Sequence, residues 1–83
     1  MTDDPIRRVL DGHARLPVSA WALGDGDNLY EAGMTSHASV NVMLGLEDTF
    51  EVEFPERLLR KATFSSIASI RAAIEELIAS PAT

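Results

Sequence analysis

Ser36, in the run Gly33-Met34-Thr35-Ser36-His37, is the residue whose type and setting could do chemistry. It opens a stretch of helical periodicity whose outer side is acidic, so its hydroxyl would stand exposed at a helix start. The plain alternative is that Ser36 is only the N-cap of that helix, a common role for serine. No catalytic partner accompanies it. Ser36 and His37 are not a nucleophile and its base, because adjacent helical residues point in different directions. His13 and His37 lack the cysteine or carboxylate spacing of a metal site. The stretch Asp25-Gly26-Asp27-Asn28-Leu29-Tyr30 starts like a calcium loop. It departs from one at Leu29, at Tyr30 where glycine is required, and at Ser36 where the closing glutamate is required. The chain therefore reads as a non-enzyme with no catalytic residues and no metal ligands.

The elements that must position Ser36 fit within one small domain, residues 1–83, near the size at which a core alone gives modest stability. A hydrophobic content of 46% with 24% charged residues is ordinary for a soluble globular chain. No apolar run is long enough to span a bilayer, and the opening Met1-Thr2-Asp3-Asp4-Pro5 is unlike a signal peptide, so no membrane role is expected. The chain has no cysteine, which fits a cytoplasmic location. A net charge of −6 argues against nucleic-acid phosphates as a partner. The acids are also concentrated. Between Arg15 and Arg57 lie Asp25, Asp27, Glu31, Glu47, Asp48, Glu51, Glu53 and Glu56, with no Lys or Arg among them. Such a field steers a basic protein partner, or else merely keeps the surface solvated.

The spacing predicts an all-α fold. Asp4 is placed to cap a first helix with Pro5 at its first position, followed by Ile6, Val9, Leu10 and His13 on one side, and Pro17 closing the pattern. A long loop then runs from Pro17 to about Thr35 through Gly24-Asp25-Gly26-Asp27-Asn28, with Trp21, Leu23, Leu29 and Tyr30 as expected anchors. A second helix is expected from Ser36 to about Glu51, with Ser39, Val42, Met43, Leu46 and Phe50 as its core stripe. Gly45 in its interior costs about 1 kcal/mol relative to alanine, with no evident local reason. Glu56 to Lys61 suggests one short helical piece. A last helix, capped by Thr63 or Ser65, buries Ile67, Ile70, Ile74, Leu77 and Ile78 and stops at Ser80-Pro81. The architecture is thus a bundle of three main helices plus one short helix, with a long loop between the first two.

The outer side of the second helix reads His37, Val40, Asn41, Leu44, Asp48 and Glu51, with Glu47 on its flank. Val40 and Leu44 make a small apolar ridge bordered by acids, the composition of a docking surface, although scattered exposed apolar residues are also common.

From Leu29 to Leu77 the chain resembles an acyl carrier protein. The resemblance rests on Leu29-Tyr30-Glu31-Ala32-Gly33-Met34, on the modification-site position at Ser36, on the string from Leu46 to Pro55 (Leu-Glu-acid-x-Phe-x-Val-x-apolar-Pro), and on Thr63-Phe64 before the last helix. It implies a covalent 4′-phosphopantetheine arm on Ser36, taken from coenzyme A, whose thiol would let a cysteine-free chain carry thioesters. A phosphate at that position would meet the free N–H groups and positive dipole end of the helix. The resemblance further implies three kinds of partner for a monomeric carrier: a phosphopantetheinyl transferase, an amino-acid or acyl ligase that loads the arm, and a downstream acceptor enzyme. His37, Val40, Asn41, Leu44, Glu47, Asp48 and Glu51 are the expected partner-binding residues.

Two departures from the family pattern bear on this. Thr35-Ser36-His37 replaces the common Asp-Ser-Leu, removing a carboxylate beside the site where the transferase and its Mg²⁺ engage. Arg57, Arg60 and Lys61 are basic where many members are acidic or mixed. The Gly-Met-Thr-Ser-His variant is similar to small bacterial carriers charged with an amino acid by stand-alone homologues of class II aminoacyl-tRNA synthetases. The expected function is to hold an activated amino acid or acyl group as a thioester and present it to partner enzymes. A specialised carrier for fatty-acid or polyketide-type synthesis, and an unmodified acidic adaptor for a basic protein, remain as alternatives.

Overall fold

The computed structural model describes residues 3–14 and 16–79. Three α-helices, α1 (Asp3–His13), α2 (Ser36–Phe50) and α3 (Ile67–Ala79), pack around one core, and no strand occurs among the described residues. Short 3₁₀ turns at Ala20–Ala22, Glu56–Leu58 and Lys61–Phe64 interrupt the connections.

The core is assembled from one stripe per helix. Ile6, Val9 and Leu10 of α1 meet Ala38, Val42 and Leu46 of α2 and Ile67, Ile70 and Ile74 of α3, all buried. Fully burying a large aliphatic side chain contributes about 1.5–3 kcal/mol, so these stripes dominate the stability of the bundle. Phe54 and Phe64 close one end, with ring centroids 5.4 Å apart. The stripe of α2 is rotated from the expected one: Ala38, not Ser39, faces inward, and Met43 and Phe50 are only partly buried. Ile78 of α3 is 53% exposed, because the last turn of that helix runs past the packed core.

Gly45 acquires its reason here. A Cβ at this position would lie 2.9 Å from Val9 Cγ1 and 2.9 Å from His13 Cδ2. The helix gives up about 1 kcal/mol of propensity so that α1 and α2 can approach closely. His13 is accordingly exposed to solvent along one edge and packed over Gly45 along the other.

Several boundaries differ from the periodicity. Helix α1 starts at Asp3, so Asp4 lies in its first turn and is not its cap, and it ends at His13, well before Pro17. The expected stop at Ser80-Pro81 lies outside the described residues. Helix α3 is capped by Ser66, whose Oγ accepts from the Ser69 N–H at 3.1 Å. Thr63 is buried within the preceding turn, and the Ser65 hydroxyl donates to the Ala62 carbonyl. The single short helix expected over Glu56–Lys61 is two turns, because Leu59 (φ −86°, ψ 68°) and Arg60 (φ −143°, ψ 161°) leave helical geometry between them.

The long loop is held by polar contacts from α1 and α3 more than by its aromatics. Arg7 Nη1 donates to the carbonyls of Ala20 and Leu23 at 2.6 and 2.7 Å, and Nη2 donates to Asp25 Oδ1 at 2.9 Å. Asp11 Oδ1 accepts from the Ala20 N–H, and Arg71 Nη1 reaches Asp25 Oδ2 at 3.0 Å. Backbone bonds from Ala68 N–H to the Asp25 carbonyl and from Leu29 N–H to the Ser65 carbonyl tie the loop to the start of α3. Leu29 is fully buried, but Trp21 is 50% exposed and Ala20 takes the inward place expected for it. These bonds satisfy backbone groups of Ala20, Leu23, Asp25 and Leu29, as an ordered loop requires.

Candidate functional site

The site begins at the end of that loop. Asn28 Oδ1 accepts from the Glu31 N–H, and successive backbone bonds from Ala32, Gly33 and Met34 coil residues 28–34 tightly. Gly33 has φ +124°, a region L side chains avoid, and a Cβ there would lie 2.8 Å from Pro17 Cδ. Met34 follows into the core, 2% exposed, and anchors the chain two residues before α2 begins.

Thr35 is the N-cap of α2, in extended geometry, with Oγ1 accepting from the Ala38 N–H at 3.0 Å. Ser36 is therefore not the cap but the first residue of the helix, and it is exposed. Its hydroxyl makes no hydrogen bond among the described residues, and neither do the N–H groups of Ser36 and His37. Ser39 Oγ takes the Ser36 carbonyl at 2.7 Å, which stiffens the first turn. Thr35 thus supplies the capping bond, and an unengaged hydroxyl sits at the positive end of a fifteen-residue helix.

Beside Ser36 opens a cleft of about 310 Å³ between α2 and the connection to α3. Ser36, Val40 and Met43 form one wall, Leu59, Arg60 and Lys61 the other, and Tyr30 and Phe64 contribute between them. Lys61 Nζ lies 4.9 Å from the centroid of the Tyr30 ring, a cation–π contact. The sequence shows the basic run at 57–61 but not its division. Arg57 pairs with Glu76 of α3 at 2.6 Å, whereas Arg60 and Lys61 turn to the Ser36 cleft. Only the 3₁₀ geometry of the connection separates them.

On the outer side of α2, His37, Val40, Asn41, Leu44, Asp48 and Glu51 are all exposed, Val40 and Leu44 by about half. Glu47 stands apart. It is partly buried, and its Oε2 accepts from the Phe54 N–H at 2.8 Å, so this carboxylate braces the turn after the helix. Glu51 is the C-cap in left-handed geometry (φ 55°, ψ 49°), the place glycine usually takes. No group of three or more His, Cys, Asp or Glu able to hold a metal ion occurs among the described residues. No helix among them is long and apolar enough to cross a membrane.

A free, exposed serine hydroxyl, two unengaged N–H groups and a cation-rimmed cleft fit a phosphodiester linkage. Comparison with known proteins points the same way. Residues 14–74 match the family model described as phosphopantetheine attachment site. An aminoacyl carrier protein of Agrobacterium fabrum (strain C58) is 38% identical over 73 residues, 88% of each chain. A crystal structure of engineered Bradyrhizobium japonicum glycine:carrier protein ligase with ATP and carrier protein from Agrobacterium tumefaciens contains a similar chain. It has TM-score 0.89 and 37% identity, over 92% of this chain and 99% of that one. A solution structure from Agrobacterium tumefaciens aligns at TM-score 0.74 and 36% identity, over 93% of each chain. The all-α bundle expected from periodicity is the carrier-protein fold, and an unmodified adaptor no longer accounts for the chain. It belongs to the phosphopantetheine attachment site family and is a carrier protein that works through a covalently attached 4′-phosphopantetheine.

Proposed function

We propose that Ser36 is the attachment residue and that the chain, a single carrier domain, holds a small activated amino acid. The observation that carries this reading is the division of labour at the start of α2: Thr35 caps the helix, leaving the Ser36 hydroxyl exposed and unengaged. When bound, the arm supplies a terminal thiol for thioester formation, which this cysteine-free chain lacks. The protein's part is to fix the arm's root. The Ser36 and His37 N–H groups face the phosphate position, and the capped, rigid first turn holds it against the helix dipole. The chain contributes no acid, base or nucleophile to the transfer itself, so it is a carrier and not a catalyst.

Glycine is the cargo we favour, because similar chains occur in complex with a glycine:carrier protein ligase. A ligase of that kind is then the loading partner, with a phosphopantetheinyl transferase before it and an acceptor enzyme after it. His37, Val40, Asn41, Leu44, Asp48 and Glu51 present the arm: the apolar ridge supplies desolvated contact, and the acids steer a basic face. Glu47 supports that surface by holding the Phe54 turn. A cysteine-free chain suits the cytoplasm.

Incubation with coenzyme A, Mg²⁺ and a phosphopantetheinyl transferase, followed by intact mass and peptide mapping, tests the attachment. The wild type should gain one phosphopantetheine on the Ser36 peptide. Ser36→Ala should gain none while keeping its helix content, because Thr35 still caps α2. Modification of the alanine variant would remove Ser36 from this role. With the loaded arm in hand, a ligase assay with glycine against a fatty acyl substrate separates the aminoacyl reading from that of a specialised acyl carrier.

A further inference from the structure

The cleft beside Ser36 carries two cations to which neither attachment nor docking on α2 gives a role. We propose that Arg60 and Lys61 hold the phosphodiester of the arm on Ser36, so that its root rests against the carrier's own body between hand-overs. This rests on Ser36 being the attachment residue.

Charge placement makes the case. No Lys or Arg occurs between Arg15 and Arg57, so α2 itself offers a phosphate no lysine or arginine. The connection to α3 supplies it from across the cleft, where Arg60 and Lys61 face Ser36, Val40 and Met43. Arg57, in the same basic run, is already committed to Glu76. Arg60 and Lys61 have no carboxylate partner among the described residues. Lys61 is steadied over the Tyr30 ring, a contact that orients the ammonium without neutralising it. Arg60 stands on the rim between this cleft and a shallower one against α3, so its guanidinium can reach either. Its planar fork matches two non-bridging phosphate oxygens, and the lysine adds a point charge. The Ser36 and His37 N–H groups would complete the set from the helix side. Met43, Leu59 and Phe64 exclude part of the water, so the pairing is stronger there than between fully exposed charges.

One consequence is mechanical. An arm held at its root has fewer orientations, and a partner must displace two charge contacts to extend it. A partner with acids opposite Arg60 and Lys61 would release the arm, while its basic face meets Asp48 and Glu51.

The test uses the full chain in apo and holo forms, with phosphopantetheine on Ser36 verified by mass before any spectrum is taken. Amide chemical shifts of the two forms should differ at Arg60 and Lys61 as well as at residues 35–38. The differences at Arg60 and Lys61 should shrink as salt is raised, because screening weakens charge pairing. In Arg60→Gln/Lys61→Gln, whose apo spectrum reports its fold, the differences should be confined to residues 35–38. Confinement to 35–38 in the wild type, or differences at 60–61 indifferent to salt, would overturn the proposal and leave attachment at Ser36 intact. Failure to find the group on Ser36 would remove the attachment and this inference together.

Discussion

Asp25 and Asp48 are both aspartates in the acid-rich middle of the chain, yet the structure uses them in opposite ways. Asp25 lies between Arg7 and Arg71 at 2.9 and 3.0 Å, and its carbonyl accepts from the N–H of Ala68. Asp48 is exposed on α2, and its carboxylate has no partner among the described residues. The same division runs through the neighbouring acids. Asp27 accepts from the Gly24 N–H and Glu47 from the Phe54 N–H, whereas the Glu51 side chain is unpaired in the same sense as Asp48. Counting acids along the chain therefore overstates the field offered to a partner. Asp25, Asp27 and Glu47 use their charge to hold the fold together; Asp48 and Glu51, at the end of α2, keep theirs available. Glu51 does so in backbone geometry that glycine would occupy at less cost, which fits a residue kept for its carboxylate.

The sharpest way to break this comparison is Arg7→Ala. The side chain is 13% exposed and holds two carbonyls and a carboxylate, so urea unfolding should show a loss of about 3 kcal/mol. A loss well below 1 kcal/mol would mean that apolar burial, not Arg7, holds the loop. Gly33→Ala should cost about 2 kcal/mol from its positive φ alone, with a further contribution from the contact with Pro17. It should also slow modification by the transferase, since the segment entering Ser36 is displaced. On the other side of the comparison, Asp48→Lys with Glu51→Lys should leave unfolding nearly unchanged. Binding to the loading ligase should weaken about tenfold, chiefly in the association rate and less so at high salt. A stability loss larger than the binding loss would put these acids in the structural class with Asp25. The smallest effect is expected for Glu51→Gly, which should raise stability by about 1 kcal/mol in thermal or urea unfolding while weakening the same interaction.

The carrier-protein character of the chain was legible because it is written locally. The helices follow from apolar residues at i, i+3 and i+4, and Leu46 to Pro55 is a contiguous string at a set distance behind Ser36. The readings left open or missed fall where local information is degenerate. Thr35 and Ser36 are both good caps, and only the bond to Ala38 N–H chooses between them. Ser65 and Ser66 pose the same ambiguity at α3. Trp21 looks like an anchor on hydrophobicity alone, but the polar ties at Ala20 turn the backbone so that its ring stays half outside.

By itself, the sequence determined the helical periods, the placement of an unaccompanied serine at a helix start, and an acid-rich middle with a basic run behind it. Those are properties of neighbours in the chain, and neighbours constrain one another whatever the rest of the molecule does. Tertiary structure decided everything that depends on residues far apart in sequence. The pairing of Arg71 with Asp25 spans 46 residues. The need for glycine at position 45 comes from Val9 and His13 on another helix. The facing of Arg60 and Lys61 toward Ser36 depends on two 3₁₀ turns in place of one helix. Contacts of this kind form only when packing closes the intervening loops, so no local pattern records them.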